Sequence, residues 1–108
     1  MGFLPIEHLD LKEYKMSCKY CLVPLFYTFE IISHDYKCKN GKAFFVALVR
    51  NVILGDTYTT TLTSGKVDLA NIYCVNCHNE LGFKYIKTYV DQNSFKQERF
   101  MVDCSKVT

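Results

Sequence analysis

The sequence predicts an all-β domain, and three observations support that fold class. Aromatic residues make up 15% of the 108 residues, as eight Tyr and eight Phe without any Trp, and such residues favour strands. Short apolar or alternating runs are separated by turn signals at close intervals. No window keeps the 3.6-residue period of an amphipathic helix, and Gly82 weakens the nearest candidate, residues 80–89. The chain is therefore expected to form one antiparallel β-sheet domain with a modest core.

The chain divides into an N-terminal extension, residues 1–14, and one domain, residues 15–108. The extension lacks the basic flank and long apolar stretch of a signal peptide. The longest clean apolar run, residues 43–49, is far too short to span a membrane. We therefore expect a soluble intracellular protein without a membrane partner. Four apolar side chains of the extension could dock loosely on the domain: Leu4, Ile6, Leu9 and Leu11.

The first half of the domain predicts two strands joined by a turn. Residues 25–33 are rich in aromatic and β-branched side chains, as strands usually are. Residues 43–50 are apolar almost throughout, so we expect both faces of that strand to be buried. Residues 34–42 lie between them and contain Asn40-Gly41, a strong turn signal.

The second half of the domain predicts further strands. Gly55-Asp56 marks a turn. Residues 57–63 contain five Thr and alternate weakly, as a half-exposed strand would. Another turn at Ser64-Gly65 leads into a strand that ends at Cys74. Two final strands follow: residues 83–90, which place Phe83 and Tyr85 on one face, and residues 99–104, which place Phe100, Val102 and Cys104 together.

The charge of the chain is nearly balanced, with a net value of +2 from 13 basic and 11 acidic side chains. This balance does not indicate a phosphate-binding surface. Six lysines between residues 12 and 42 make the first half basic, and we interpret them as a solvated face. Nucleic acid is therefore not the expected partner.

Six cysteines are present in a chain that we expect to stay reduced, which indicates metal binding more than disulfides. Four of them form two C-x-x-C pairs, Cys18 with Cys21 and Cys74 with Cys77. A tight turn in each pair can aim two sulfurs at one point, and two pairs supply the tetrahedral thiolate set that Zn²⁺ accepts. Because 52 residues separate the pairs, the metal would join distant parts of the chain. The pattern predicts one structural zinc ion whose loss would unfold much of the domain.

Other interpretations of the cysteines are weaker. Disulfides would suit a secreted chain, and a dithiol redox site usually uses one pair at the start of a helix. Cys74 to His78 matches a haem attachment motif, but the second pair and the strand-rich context argue against haem. His78 could replace one cysteine as ligand. Catalytic zinc needs an open coordination position, which four thiolates would close. Cys38 and Cys104 stand alone, and we interpret them as buried packing residues, with a reactive thiol as the alternative.

The segment around the second pair is distinctive. Residues 72–85 read I-Y-C-V-N-C-H-N-E-L-G-F-K-Y. This stretch resembles the yippee-like family, whose pattern runs D-I-x-C-x-x-C-x-x-x-[LIV]-G-W-K-Y. Residues 41–45, the Asn51-Val52 pair with Gly55, and residues 95–100 resemble further family segments, so the match covers about residues 15–104. The resemblance implies a zinc-bound β-tent domain with nuclear or cytoplasmic members. It also implies four zinc ligands: Cys18, Cys21, Cys74 and Cys77.

Several positions depart from the family pattern. Val67 stands where the family usually has His, Asn71 where it has Asp, and Phe83 where it has Trp. Any role of that His cannot be transferred to this chain. The resemblance extends to the drug-binding domain of cereblon, whose pocket is similar to a tryptophan cage, and more distantly to methionine sulfoxide reductases of the B type. This chain has no Trp, so a cage would need Phe and Tyr.

Three hypotheses for the function follow. The first is a non-enzymatic, regulatory zinc module that binds other proteins. The second is a reader of a small ligand or modified residue, with Phe83 and Tyr85 as walls of an aromatic pocket, although we expect both to be ordinary core. The third is an enzyme of the methionine sulfoxide reductase type, which would need Cys38 or Cys104 as its reactive thiol. The partner, the process and the oligomeric state stay open.

Overall fold

The computed structural model describes residues 5–108 and contains eight strands in that range. Four short 3₁₀ turns join or flank the strands, and none of the helical segments in the described chain is long or apolar enough to cross a membrane. The strands are β1 Lys15–Ser17, β2 Pro24–Tyr27, β3 Ile31–Cys38, β4 Gly41–Val46, β5 Val52–Leu62, β6 Gly65–Cys74, β7 Glu80–Thr88 and β8 Phe100–Asp103.

Six of the strands form one antiparallel sheet in the order β3-β4-β8-β7-β6-β5, and β1 pairs with β2 in a separate ribbon. Strand β8 lies between β4 and β7 and joins the β3-β4 hairpin to the β5-β6-β7 strands in one sheet. All four of its residues are buried, because each face of a central strand contacts a different part of the core. The prediction of an all-β, antiparallel fold is confirmed.

The sheet has a separate apolar cluster on each face. The first lies beneath the β1-β2 ribbon and the cysteine pairs, and it includes Leu25, Phe26, Ile72, Leu81 and Val102. The second lies on the opposite face and consists of Ala43, Phe45, Val67, Leu69, Tyr85 and Met101. Because successive side chains of a strand point to opposite faces, the sheet strands contribute to both clusters, and the first cluster packs beneath the cysteines.

Most of the predicted strands are present, with corrections in the first half. Residues 25–33 are interrupted by a 3₁₀ turn, Thr28–Glu30, so β2 and β3 are separate. Residues 34–42 belong mostly to β3, and only the hairpin turn before Gly41 matches the predicted turn. Beyond β4 the apolar run leaves the sheet, and Leu48 is exposed. The expectation that both faces of residues 43–50 are buried therefore holds only within β4.

The predictions for the second half fare similarly. Gly55-Asp56 is not a turn, because β5 runs through it with a register shift between Leu54 and Thr57. Such a bulge bends a strand without ending it. Residues 80–89 hold strand β7 rather than a helix. Phe100 and Val102 share one face as predicted, whereas Cys104 begins a 3₁₀ turn.

The described part of the N-terminal extension contacts the domain at few points. Leu9 is buried, whereas Ile6 and Leu11 are exposed. The backbone of Glu7 exchanges two hydrogen bonds with the side chain of Asn51, at 2.7 and 2.9 Å. Docking therefore depends on Leu9 and polar contacts more than on an apolar face. Leu4, which the sequence also suggested for docking, lies outside the described residues.

Candidate metal centre

Each C-x-x-C pair lies at a tight connection between two strands, where Cys74 is also the last residue of β6, and the two connecting loops share one backbone pattern. The first loop connects β1 to β2, and the second connects β6 to β7. The N–H of Cys18 donates to the carbonyl of Val23 at 2.9 Å, and the N–H of Cys74 donates to the carbonyl of Asn79 at 2.9 Å. In both loops the residue after the second cysteine donates to the carbonyl of the first cysteine.

That following residue is Leu22 in the first loop and His78 in the second, and each has a positive φ, 65° and 63°. The left-handed conformation turns the chain sharply enough to bring both sulfurs of a pair to the same side. His78 is exposed and belongs to the turn, not to the cysteine cluster. The structure thus does not support His78 as a ligand in place of one cysteine.

The two loops face each other, so that the sulfurs of all four cysteines form one group. Their Sγ atoms all lie within 4.8 Å of one another. Two contacts between the loops are shorter, 3.6 Å for Cys18 to Cys77 and 3.4 Å for Cys21 to Cys74. A Zn–S bond of about 2.3 Å in a tetrahedron gives sulfur separations of about 3.8 Å. The observed separations bracket that value, so the four thiols fit a zinc ion.

The surroundings of the sulfurs differ in polarity. Burial raises the pKa of Cys74 to about 12, against the opposing effect of backbone N–H groups from Cys77 and Asn76. Burial also acts on Cys77, but the backbone and side-chain N–H groups of Asn79, together with contacts from the Cys18 and Cys74 thiols, outweigh it and lower the pKa of Cys77 to about 6. The side-chain contact from Asn79 Nδ2 to Cys77 Sγ is 3.2 Å long. N–H groups directed at sulfur would stabilise thiolates bound to a metal.

Asn51 connects the cysteine loops to the remainder of the chain. Its φ is 59°, and its carbonyl accepts from the N–H of Val75 in the second loop at 2.9 Å. Its Nδ2 donates to the carbonyl of Pro24, the first residue of β2, at 2.7 Å. The family resemblance at Asn51-Val52 and Gly55 therefore includes a residue, Asn51, that fixes both loops. The C-terminus fixes the first loop further, because Thr108 exchanges two backbone hydrogen bonds with Ser17.

The remaining cysteines lie apart from this cluster. Cys38 is half-buried at the end of β3, and its Sγ contacts the carbonyl of Lys42 at 3.8 Å. Burial, followed by the nearby Asp103 carboxylate, raises the pKa of Cys104. A raised pKa lowers the thiolate fraction and with it the nucleophilicity. Their partial burial agrees with the interpretation of both as packing residues.

A cavity of about 630 Å³ opens on the face of the sheet opposite the cysteines. The two edge strands, β3 and β5, both contribute lining residues, so the sheet curves around the cavity. Tyr85 is buried, as expected of core, and Phe83 is half-buried, yet both line this cavity. Sequence reasoning missed the other lining residues, among them Tyr36 and Lys96. No motif marks either of them, because the curvature of the sheet brings them together.

Two C-x-x-C loops that face each other across a small antiparallel fold define a class of β-domains with a preformed tetrathiol metal site. A family model described as "Yippee zinc-binding/DNA-binding /Mis18, centromere assembly" matches residues 15–108. The chain belongs to this yippee family. The family description names zinc as the metal, and the tetrathiol cluster suits that ion.

Relatives with similar sequences support the same assignment. A yippee-like protein of Arabidopsis thaliana is 33% identical over 99 residues, which cover 92% of this chain and 77% of the relative. A yippee-like protein of Solanum tuberosum is 32% identical over 108 residues, which cover 100% of this chain and 82% of the relative. The crystal structure of the Mis18 "Yippee-like" domain matches with a TM-score of 0.67 over 87% of this chain and 91% of that domain. At 17% identity, that likeness concerns the fold.

Proposed function

We propose that this chain is a non-enzymatic regulatory module that binds other proteins and that one structural zinc ion holds together. The proposed zinc ligands are Cys18, Cys21, Cys74 and Cys77. The observation that carries the proposal is the closed donor set, in which two sulfurs are buried and two are half-buried. Four protein thiolates complete a tetrahedral zinc ion and leave no position for a substrate or a reactive water.

The thiols outside the cluster support a non-enzymatic role. An enzyme of the methionine sulfoxide reductase type would need a thiolate at Cys38 or Cys104. The pKa of Cys104 is raised, with burial as the first cause. Among residues 5–108, the cysteine cluster is the one group of His, Cys, Asp and Glu side chains arranged to hold a metal. If peptide methionine sulfoxide is reduced by the wild-type chain but not by a Cys104→Ser or Cys38→Ser variant, the non-enzymatic assignment fails.

A protein partner is favoured over nucleic acid, although the family description also contains the word DNA-binding. The net charge is only +2, and several basic side chains already have acidic partners. Arg50 pairs with Glu30, and Lys84 pairs with Glu98 at 3.0 Å. Because the 13 basic side chains are nearly balanced by 11 acidic ones, no large excess of cations is available to release counterions from phosphate. The family description includes the words Mis18 and centromere assembly, and the solved structure with a similar fold is a Mis18 domain. Both are compatible with a role in protein assemblies.

The experiment is affinity capture of partners from cells, with quantitative mass spectrometry before and after nuclease treatment. Three forms are compared: the wild type, Cys77→Ser, which removes a proposed ligand, and Cys104→Ser, which leaves the cluster intact. We expect partners that survive nuclease, persist with Cys104→Ser and disappear with Cys77→Ser. Partners that nuclease releases would indicate nucleic acid instead. The proposed tetrathiol site requires reduced cysteines, which supports a nuclear or cytoplasmic location.

The cavity supports a second candidate function, recognition of a small ligand or a modified residue. Its volume lies within the range of known ligand sites, about 300–1,000 Å³. Phe83, Tyr85 and Tyr36 supply aromatic walls, as such sites usually contain. A fragment screen on the zinc-loaded chain, read by ¹H–¹⁵N spectra, tests this candidate. We expect shifts at Phe83 and Tyr85, whereas shifts only at exposed positions far from the cavity would contradict it.

A further inference from the structure

Lys96 is the most unusual side chain on the wall of the cavity. It ends the 3₁₀ segment Asp91–Lys96, and only 7% of its surface is exposed. Lysine is almost never buried to this extent without a partner. Its Nζ lies 5.4 Å from the ring centroid of Tyr36, and 5.7 Å from those of Tyr85 and Phe95. Three aromatic rings therefore surround the ammonium group.

The ammonium of Lys96 has no acidic partner among residues 5–108. Four ion pairs are present in that part of the chain, and none includes Lys96. Asp103 also lines the cavity, but other donors already satisfy its carboxylate. Its Oδ2 accepts from Asn40 at 2.8 Å, and its Oδ1 accepts from the N–H and the hydroxyl of Ser105 at 2.9 and 2.7 Å.

Burial lowers the pKa of Lys96, because the side chain has lost part of its hydration without gaining an anion. No fully buried side-chain nitrogen or oxygen among residues 5–108 lacks a hydrogen-bond partner, so the ammonium of Lys96 keeps contact with the water of the cavity, where an anion could reach it. The cavity also carries an excess of positive charge, since four lysines and two carboxylates line it. Burial raises the pKa of Tyr85 to about 12, so its hydroxyl stays protonated and can donate a hydrogen bond.

These features determine which ligand charge the cavity accepts. Aromatic cages elsewhere bind cations such as methylated lysine. Here the cage already holds a cation from its own chain. A second cation in the cavity would meet like-charge repulsion, whereas an anion would supply the missing partner of Lys96.

We propose that the cavity binds a ligand with an apolar body and a carboxylate, and that the carboxylate pairs with Lys96 while the body lies against Phe83 and Tyr85. This inference rests on the cavity's proposed role in ligand recognition. The carboxylate belongs either to a free organic acid or to an acylated side chain of a partner protein. Lys96 is the residue that sets the preference for a negative charge.

The test uses pairs of compounds that have nearly the same shape but differ in charge. The first arm titrates the zinc-loaded chain with benzoate, 2-naphthoate and indole-3-acetate, each against its primary amide, and follows the ¹H–¹⁵N spectrum. The second arm uses one short peptide with a succinylated, an acetylated or a trimethylated lysine. The first arm reports a free acid, and the second reports a modified residue.

If the ligand is a free acid, we expect at least one acid of the first arm to bind at least about tenfold more tightly than its amide. That ratio corresponds to one charge-assisted hydrogen bond. The succinylated peptide should bind in preference to the acetylated peptide if the ligand is a side chain. The trimethylated peptide should not bind in the cavity. Lys96→Arg should retain the preference for the acid, and Lys96→Met should abolish it. Lys87→Met, which changes an exposed lysine outside the cavity lining, should leave the preference unchanged.

Two results would overturn this inference and are distinct from each other. If amides bind in the cavity as tightly as acids, or if Lys96→Met keeps the preference, ligand recognition stands and the role of Lys96 is wrong. If neither the acids, the amides nor the peptides shift resonances of Phe83 and Tyr85, the role of the cavity in ligand recognition fails as well.

Discussion

Asn51 connects several separate parts of this molecule through its hydrogen bonds. Its side chain contacts the extension at Glu7 and the start of β2 at Pro24. Its carbonyl holds the second cysteine loop. Asn tolerates the left-handed conformation better than most residues, so it suits the backbone and all of these contacts. The resemblance identified Asn51 as a family position, but only the structure shows what it connects.

Gly82 is the residue at which the sheet tolerates no side chain. It pairs with Ile72 on β6 and with Val102 on β8, and its φ is +152°. A Cβ there would collide with the carbonyl oxygen of Met101. The Gly of the L-G-W-K-Y resemblance is therefore required by the close approach of the strands.

We predict that Gly82→Ala destabilises the chain by more than about 2 kcal/mol, since strain and a backbone clash act together. Gly41→Ala is the matched control, because Gly41 has a φ of +127° and nothing within 4 Å of an added Cβ. That variant should show the strain alone. Urea unfolding of both zinc-loaded variants measures the difference, and equal losses would contradict the clash.

Lys96 gives a second prediction at the scale of the residue. Lys96 is largely buried and has no acidic partner among residues 5–108, so an apolar side chain of similar length removes its desolvation cost. We therefore expect Lys96→Met to raise the free energy of unfolding by about 1 kcal/mol in the absence of ligand, because such charges are retained for function at the expense of stability. Thermal unfolding checks this, with Lys87→Met as control. A clear loss of stability would show that the cation–π contacts hold the fold.

At the scale of the element, an ion pair joins the two connections that flank β3 and β4. Arg50 donates to both carboxylate oxygens of Glu30, at 2.7 and 3.0 Å, and the two side chains are only 18% and 15% exposed. Burial opposes ionisation, yet the Arg50 and Tyr27 N–H groups hold the pKa of Glu30 below its ordinary value of 4.5. The pair is therefore fully stabilising above that pH, and its contribution is lost as the pH falls through the lowered pKa.

We predict that Glu30→Gln costs about 1–3 kcal/mol of unfolding free energy at pH 7, because Arg50 loses a charged, bidentate partner. Glu98→Gln breaks a pair in which Glu98 is 71% exposed, and it should cost less than about 1 kcal/mol. Chemical denaturation at pH 7 compares the two variants with the wild type. Similar costs for both would mean that burial does not strengthen the Glu30 pair.

The elements also show how far the sequence could predict this fold. The Asn40-Gly41 hairpin, the turn at Ser64-Gly65 and the alternation at Phe83 and Tyr85 were predicted correctly, because each depends on residues close in the chain. The bulge at Gly55 was predicted as a turn, because a glycine followed by an aspartate is typical both of β-turns and of β-bulges. Its Cβ position lies 3.1 Å from the ring of Tyr73 on the next strand, which no local pattern reveals.

At the scale of the whole molecule, two features required the structure. Strand β8 enters the sheet between β4 and β7, and a pairing across such a distance leaves no trace in one sequence. The cavity forms because both sheet edges curve around Lys96 and the aromatic residues. The cysteine pairs, by contrast, were predictable from spacing alone, since the chemistry of the metal fixes which residues must meet.

The cysteine cluster brings the loop before β2 against the loop before β7, so a bound metal would enclose most of the sheet strands within one closed segment. Apparent binding energies of structural zinc sites, about 10–16 kcal/mol, equal or exceed the stability of a small domain, about 5–15 kcal/mol. The zinc ion that we propose is therefore expected to determine whether the domain folds. The charge and shape of the cavity depend in turn on that folded sheet.

The most direct measurement is the zinc content of the purified chain, combined with circular dichroism before and after chelation. We predict one zinc ion per chain for the wild type and for a Cys38→Ser, Cys104→Ser double variant, and loss of the β signal when the metal is removed. Cys77→Ser should lose the metal. Less than about half an equivalent of zinc in the wild type, or an unchanged fold after complete removal, would contradict the structural role of the site.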